Sequence, residues 1–201
     1  MTEVTIIDSG GANLASLAFA LERLGVRAQV SNDVRAISQS PRVILPGVGA
    51  ARDAMQRLRV SGVAEVLPRL KQPILGICLG MQLLFDRSEE GPSDGLGVIP
   101  GTVKRLVAAP GRPVPHMGWN QLNLQQPDPL LTGLTEGEYV YFVHGYAASP
   151  SESTLATTQY GAALPAVVRR ANFWGVQFHP ERSGAPGAHL LANFLRLERC
   201  C

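Results

Sequence analysis

A single thiol stands in a glycine frame at Gly76-Ile77-Cys78-Leu79-Gly80. In the serine version of G-x-nucleophile-x-G, the reactive residue occupies a sharp, strained turn between a strand and a helix. Small residues on either side leave room for that turn. The helix that follows presents free N–H groups and the positive end of its dipole, which favour a thiolate and support an oxyanion. The same residues also read as a buried free cysteine acting as a small hydrophobe. A nucleophile needs a base, and the base needs an orienting group. Of the four histidines, His116, His144, His179 and His189, His179 stands where the apolar run "GVQF" ends. Pro180 keeps the chain from continuing as helix there, and Glu181 is spaced to turn back onto the imidazole and fix its tautomer. Alone, His-x-Glu after a strand reads as a solvated turn. Beside the glycine-framed cysteine it completes a Cys78–His179–Glu181 triad.

Acyl transfer also needs oxyanion donors from two places. One is the Leu79 N–H, directly after the nucleophile. The second is a backbone amide of "LPGVGA", Leu45 to Ala50, where two glycines free the chain to turn; an ordinary strand-to-helix turn reads the same way. Metal and redox uses of the thiol fit less well. No C-x₂-C or H-x₃-H spacing suggests a zinc site, and C-x-x-C is absent. We therefore expect neither a metal nor a cofactor.

The elements that must position these residues follow from periodicity. "EVTIID" reads as a first strand, and "ANLASLAFALERLG" as a helix with Leu14, Leu17, Ala18, Leu21 and Leu24 on one face, ended by Gly25 at C′. "VRAQVS", "RVILPGVG" and "PILGI" read as further strands, with helical stretches over 53–58 and 61–70 and a helix after Cys78 whose face extends through "GMQLLF". Strands alternating with helices imply parallel βαβ units in a sheet covered on both faces. From Gly97 to Gly175, "GVIPGTVKRLV", "YVYFVHGY", "STLATTQY", "PAVVRRA" and "FWGVQF" read as hairpins in an antiparallel extension. A closing helix, "GAHLLANFLRLERC", puts Leu190, Leu191, Phe194 and Leu197 on one face. The expectation is one α/β domain over residues 1–201, with a mostly parallel central sheet.

Composition narrows the function classes. The chain has 201 residues, enough for one sizeable core, and a formal net charge of +2 with no basic run, so nothing points to nucleic acid. No apolar stretch approaches the ~20 residues that span a bilayer, and the N-terminus reads as a strand rather than a signal peptide. Three cysteines, two of them the terminal pair Cys200-Cys201, form no disulfide framework and suggest a reducing cytoplasm.

Taken in order, "LPGVGA", "GICLGMQLLF" and "GVQFHPE" resemble the class I (triad) glutamine amidotransferases, at that family's spacings and over nearly the whole chain. The resemblance implies that Cys78 attacks the side-chain amide of L-glutamine to form a γ-glutamyl thioester. It implies that His179 protonates the departing ammonia and then activates water, with Glu181 orienting it. The oxyanion would be held by the Leu79 N–H and the Gly47-Val48-Gly49 backbone. Gln82 matches the position that holds the substrate, Glu90 one that binds its amino group, and Gly145 a segment that borders the pocket. Relatives usually carry Ser or Thr at Gly145 and Phe at Ala51. The segments "PHMGWNQL", "YFVHGY" and "HPERSG" are similar to members of the family that form a heterodimer with a (β/α)₈-barrel cyclase subunit in histidine biosynthesis and pass it ammonia through a shielded tunnel. On that resemblance Asn13, Met117, Trp119, Asn120, Tyr141 and His144 fall at or near the partner interface. A glutaminase for another synthase, a non-catalytic binding subunit and a cysteine peptidase are the competing readings.

Overall fold

The computed structural model describes residues 4–9 and 14–198; Asn13, Cys200 and Cys201 lie outside the described residues. In chain order the elements are β1 (Val4–Ile7), α1 (Leu14–Arg23), β2 (Ala28–Ser31), α2 (Val34–Gln39), β3 (Val43–Gly47), α3 (Ala51–Val60), α4 (Val63–Val66), β4 (Ile74–Cys78) and α5 (Leu79–Leu83). There follow β5 (Phe85–Ser88), β6 (Ser93–Asp94), β7 (Ile99–Arg105), β8 (His116–Gln121), β9 (Asn123–Leu124), β10 (Tyr139–His144), β11 (Tyr146–Ala147), β12 (Thr154–Tyr160), β13 (Ala162–Arg170), β14 (Phe173–Val176) and α6 (Gly184–Arg196).

Eight strands form the central sheet in the order β2-β1-β3-β4-β14-β13-β12-β9. The first five run parallel and the last three antiparallel, so the expectation of an α/β fold with a mostly parallel sheet holds. Strand side chains alternate between two cores. Ile6, Ile44, Leu75, Ile77 and Val176 meet α1, α6 and the strand pair β8-β10. Val43, Leu45 and Ile74 meet α2 to α5 and the small sheet built on β5 and β7. Parallel strands buried on both faces read as unbroken apolar runs, as "VILP" and "PILGI" do. The end of α1 is a Schellman turn at Gly25 (φ 78°), with Val26 N–H donating to Leu21 C=O at 3.1 Å and Gly25 N–H to Glu22 C=O at 2.9 Å.

Several elements depart from the sequence expectation. The helix after Cys78 stops at Leu83 instead of running through Phe85. The carbonyls of Leu83 and Leu84 accept N–H groups from Leu96, Val98 and Ile99, so the chain turns into β5, parallel to β7. "FWGV" forms the expected hairpin arm, β14 antiparallel to β13, but its other edge pairs parallel with β4, which puts it in the middle of the main sheet. The helical stretch over 61–70 breaks into α4 and a 3₁₀ turn containing Pro68, which has no N–H to extend a ladder. Among the elements that the sequence did not suggest are α2 and β8. The helix α2 is capped by Asp33, whose carboxylate accepts the Ala36 N–H at 2.7 Å. The strand β8, in "PHMGWN", pairs antiparallel with β10.

A buried polar network ties β8 and β10 to the sheet. Asn120 Nδ2 donates to Gln159 C=O and lies 3.2 Å from His116 Nε2; His116 Nδ1 lies 3.0 Å from His144 Nε2; His144 Nδ1 lies 2.8 Å from Tyr146 C=O. That carbonyl is acceptor only, so each ring carries its proton on Nδ1 and accepts at Nε2. His116 stacks between Phe142 and Tyr160, with centroids at 4.8 and 4.0 Å. Burial holds both imidazoles neutral, lowering each pKa to about 4. At the antiparallel end of the sheet, Asp128 accepts from Trp174 Nε1 (2.9 Å), Leu130 N–H (2.8 Å) and Arg169 (2.7 Å).

Two outcomes follow. Replacing Asp128→Ala strands an indole N–H and a guanidinium, and should lower the unfolding free energy by about 3 kcal/mol in urea denaturation, with Asp128→Asn costing less. The unfolded chain protonates His116 and His144 near pH 6.5 but the folded chain only near 4, so the unfolded state binds more protons between those values. The stability from these two sites is then present above about pH 6.5 and lost toward pH 4, and the urea midpoint should fall from pH 6.5 to 5.

Candidate active site

Cys78 is the last residue of β4 and adopts φ 54°, ψ −111°. A positive φ outside glycine costs of order 1–3 kcal/mol and persists only where the surroundings impose it. Here β3 and β14 flank β4, in register Gly47↔Cys78 and Gly76↔Gly175, and α5 folds back over the strand ends at backbone contact. A Cβ on Gly80 would sit 1.7 Å from Leu45 C=O, one on Gly76 2.7 Å from Gly80 C=O, and one on Gly47 2.9 Å from the Leu79 Cβ. The glycine frame thus serves the close approach of α5 as much as the turn itself. Gly49 at φ 88° carries the chain from β3 toward α3 past the elbow.

His179 follows β14 and is held by its backbone. Its N–H donates to Tyr141 C=O at 2.9 Å, and its C=O accepts from Ser183 Oγ at 2.7 Å, while Ser183 Oγ accepts the Tyr141 N–H at 2.9 Å. The imidazole Nδ1 lies 2.9 Å from Glu181 Oε1, and His179 shares one cavity wall with Cys78. Burial works against a charged ring, but the hydrogen bonds and negative charge of Cys78 and Glu181 outweigh it and raise the His179 pKa to about 10. At neutral pH the ring is an imidazolium donating from Nδ1 to Glu181, with Nε2 left for the sulfur.

A cavity of about 270 Å³ opens on Cys78 and His179, and Val48, Gly49, Leu79, Gln82, Glu90, His144 and Gly145 line it. Its size suits a small molecule, not an extended peptide. A larger cleft of about 880 Å³, lined by Asp8, Asp33, Asp53 and Arg57 among others, contains neither Cys78 nor His179. Gly47 does not line the smaller cavity; it lies beside a narrow void behind His179 and Glu181. Gln82 Nε2 donates to Tyr146 C=O at 2.9 Å and to Gln177 Oε1 at 3.0 Å. Glu90 accepts the Ala51 N–H at 3.1 Å at the start of α3, and burial raises its pKa. At Gly145 a Cβ would meet only Val114, at 3.7 Å, so the position has room for the side chain that relatives usually carry.

The residues expected at a partner interface divide. Met117 and Trp119 are 62% and 55% exposed on one face of β8. Tyr141 of β10 pairs with Trp119 of β8, the two rings T-shaped at 6.0 Å, and the Arg182 guanidinium lies over the Tyr141 ring at 4.7 Å. Asn120 and His144 point the other way, into the polar network, and His144 belongs to the cavity wall. The sequence reading gave no role to Gln177, Ser183, Tyr146 or His116. A glutamine inside the apolar run "GVQF" was the one available signal, since a buried amide must be satisfied. Among the described residues, no group of three or more His, Cys, Asp and Glu could hold a metal ion, and no helix is long and apolar enough to cross a membrane.

Comparison with known proteins bears on the family and the fold. The model of the glutamine amidotransferase class-I family matches residues 5–197. The imidazole glycerol phosphate synthase subunit HisH of Xanthomonas campestris pv. campestris (strain 8004) is 53% identical over 197 residues, covering 98% of each chain. HisH of Xylella fastidiosa (strain Temecula1) is 50% identical over 198 residues, covering 98% of this chain and 99% of its own. A crystal structure of a glutamine amidotransferase superposes with a TM-score of 0.74 at 23% identity, covering 96% of this chain and 98% of its own. PurLQS from Thermotoga maritima gives a TM-score of 0.71 at 20% identity, covering 96% of both. The two structural likenesses carry the fold alone. The family match over residues 5–197 and relatives 50–53% identical over 98% of the chain agree, and the chain belongs to the class I glutamine amidotransferases.

Proposed function

We propose that this chain is the glutaminase subunit of imidazole glycerol phosphate synthase, hydrolysing L-glutamine and passing ammonia to a cyclase subunit. The observation that carries the reading is the buried Cys78–His179–Glu181 arrangement over an amino-acid-sized cavity, in a chain half identical along its length to subunits of that synthase. The Cys78 thiolate attacks the side-chain carbonyl of glutamine. The Leu79 N–H and a backbone N–H of the Gly47-Val48-Gly49 segment receive the oxyanion. The His179 imidazolium protonates the amide nitrogen, which leaves as ammonia, and a γ-glutamyl thioester remains. The ring, now neutral, takes a proton from water as that water attacks the thioester; glutamate leaves and the ion pair is restored. Glu181 fixes the ring throughout. Gln82 and Glu90 contact the substrate from the cavity wall. No cofactor enters any of these steps.

The ammonia goes to a (β/α)₈-barrel cyclase subunit in a heterodimer, which yields imidazole glycerol phosphate and an aminoimidazole carboxamide ribonucleotide in histidine biosynthesis. Transfer must be shielded, because ammonia protonated in water has no lone pair to react. The exposed aromatic and methionine side chains on β8 and β10 support a docking face there, since such residues dominate interface cores. The setting we assign is the cytoplasm, where the free thiol stays reduced.

Cys78→Ala should abolish glutamate release from glutamine, measured with the cyclase subunit and its nucleotide substrate present, while leaving the urea midpoint near wild type. Glu181→Gln should lower kcat about 10²- to 10⁴-fold. Retained hydrolysis in Cys78→Ala would end the triad assignment. On the docking face, Trp119→Ala should weaken heterodimer formation at least about tenfold in titration calorimetry without changing the fold; an unchanged affinity would remove β8 from the interface.

A further inference from the structure

Gln177 lies between β14 and His179 and is fully buried. Its backbone N–H donates to Ala166 C=O, and its side-chain amide reaches two functional residues. Oε1 accepts from Gln82 Nε2 at 3.0 Å, and Nε2 lies 3.8 Å from Cys78 Sγ. The direction of this amide is fixed by its surroundings. The Tyr146 backbone carbonyl is acceptor only, so the end of Gln82 that meets it at 2.9 Å must be the NH₂. The same NH₂ faces Gln177, which must therefore turn its oxygen to Gln82 and its N–H groups to the sulfur. A flipped Gln177 would set NH₂ against NH₂ on one side and oxygen against a thiolate on the other.

The sulfur needs such a donor once it is charged. As a thiol it can donate to Val143 C=O, 3.7 Å away. As a thiolate it faces that carbonyl dipole unfavourably, in a site from which water is largely excluded, and only donors stabilise it. We infer that Gln177 positions and stabilises the Cys78 thiolate, with Gln82 and the Tyr146 carbonyl locking its N–H groups toward the sulfur. Gln82 thereby has a second task beside the cavity wall, setting the polarity of its neighbour. The assignment rests on Cys78 being the nucleophile. The titratable groups around the sulfur are His179, His144, Glu90 and Tyr146 on the cavity wall, and Glu181 beyond His179; substitutions at 177 leave all five in place.

The test is the pH profile of iodoacetamide alkylation, read by mass spectrometry on the Cys78 peptide so that Cys200 and Cys201 do not contribute. Gln177→Met removes the donor without adding charge and should raise the alkylation midpoint by about one pH unit. Gln177→Glu keeps the shape and the acceptor for Gln82 but turns an oxygen to the sulfur, and should raise it further. In glutamine hydrolysis, kcat should fall at least about tenfold with KM within about threefold, and Gln177→Asn should not restore it because the shorter amide misses the sulfur. Folded variants with the wild-type midpoint would overturn the assignment. If both fail to fold, ¹⁵N-labelled wild-type protein decides: the Gln177 side-chain amide resonance should titrate with the alkylation midpoint, and a flat resonance overturns the inference. Failure of wild-type Cys78 to be modified by a glutamine-analogue electrophile would instead refute the nucleophile assignment, so the two failures are distinct.

Discussion

The site depends on one steric constraint: α5 must lie against the ends of β3 and β4 at backbone contact. The absent Cβ atoms of Gly47, Gly76 and Gly80 permit it. That approach accompanies the positive-φ turn at Cys78, which stands directly before α5 and its free first-turn N–H groups. Since α5 is only five residues long, local N–H groups, more than a long dipole, supply the positive potential. The central position of β4, paired on both sides, is what lets the sheet bear the strain.

A second strand fixes the base. The strand β10 is not part of the main sheet, yet it holds His179 through Tyr141 N–H and C=O and the Ser183 hydroxyl. The outer side of the same strand carries Tyr141 beside Trp119. The imidazole is thus positioned by β14, which delivers the chain, and by β10, which receives it. Neither alone would set the ring's distance to the sulfur.

Much of this was legible in the residues. The framed thiol, His179 with Glu181, the Gly25 stop and the alternation of strands and helices all rest on local chemistry, where a few adjacent residues carry the signal. What escaped was set by pairing between distant segments. Phe85 belongs to an apolar helical pattern, and only the return of Leu96 to Ile99 makes it a strand. "FWGV" reads as any short strand, and nothing local says that it inserts beside β4. His144 lies in a strand whose alternation points it inward, a fact available only once β8 was recognised as its partner. Gln177 and Ser183 act through hydrogen bonds to residues 99 and 42 positions away, a separation that no local pattern encodes.

The Tyr146 carbonyl receives both His144 Nδ1 and Gln82 Nε2. Every side-chain dipole from Asn120 to the sulfur takes its sense from that one acceptor. An orientation anchored on a side chain can be lost by a single substitution, but replacing residue 146 changes only the ring and leaves the carbonyl where it was. The handedness of the donor and acceptor array is therefore stored in the main chain, and residues along it can be exchanged one at a time without any of them being the reference for the others.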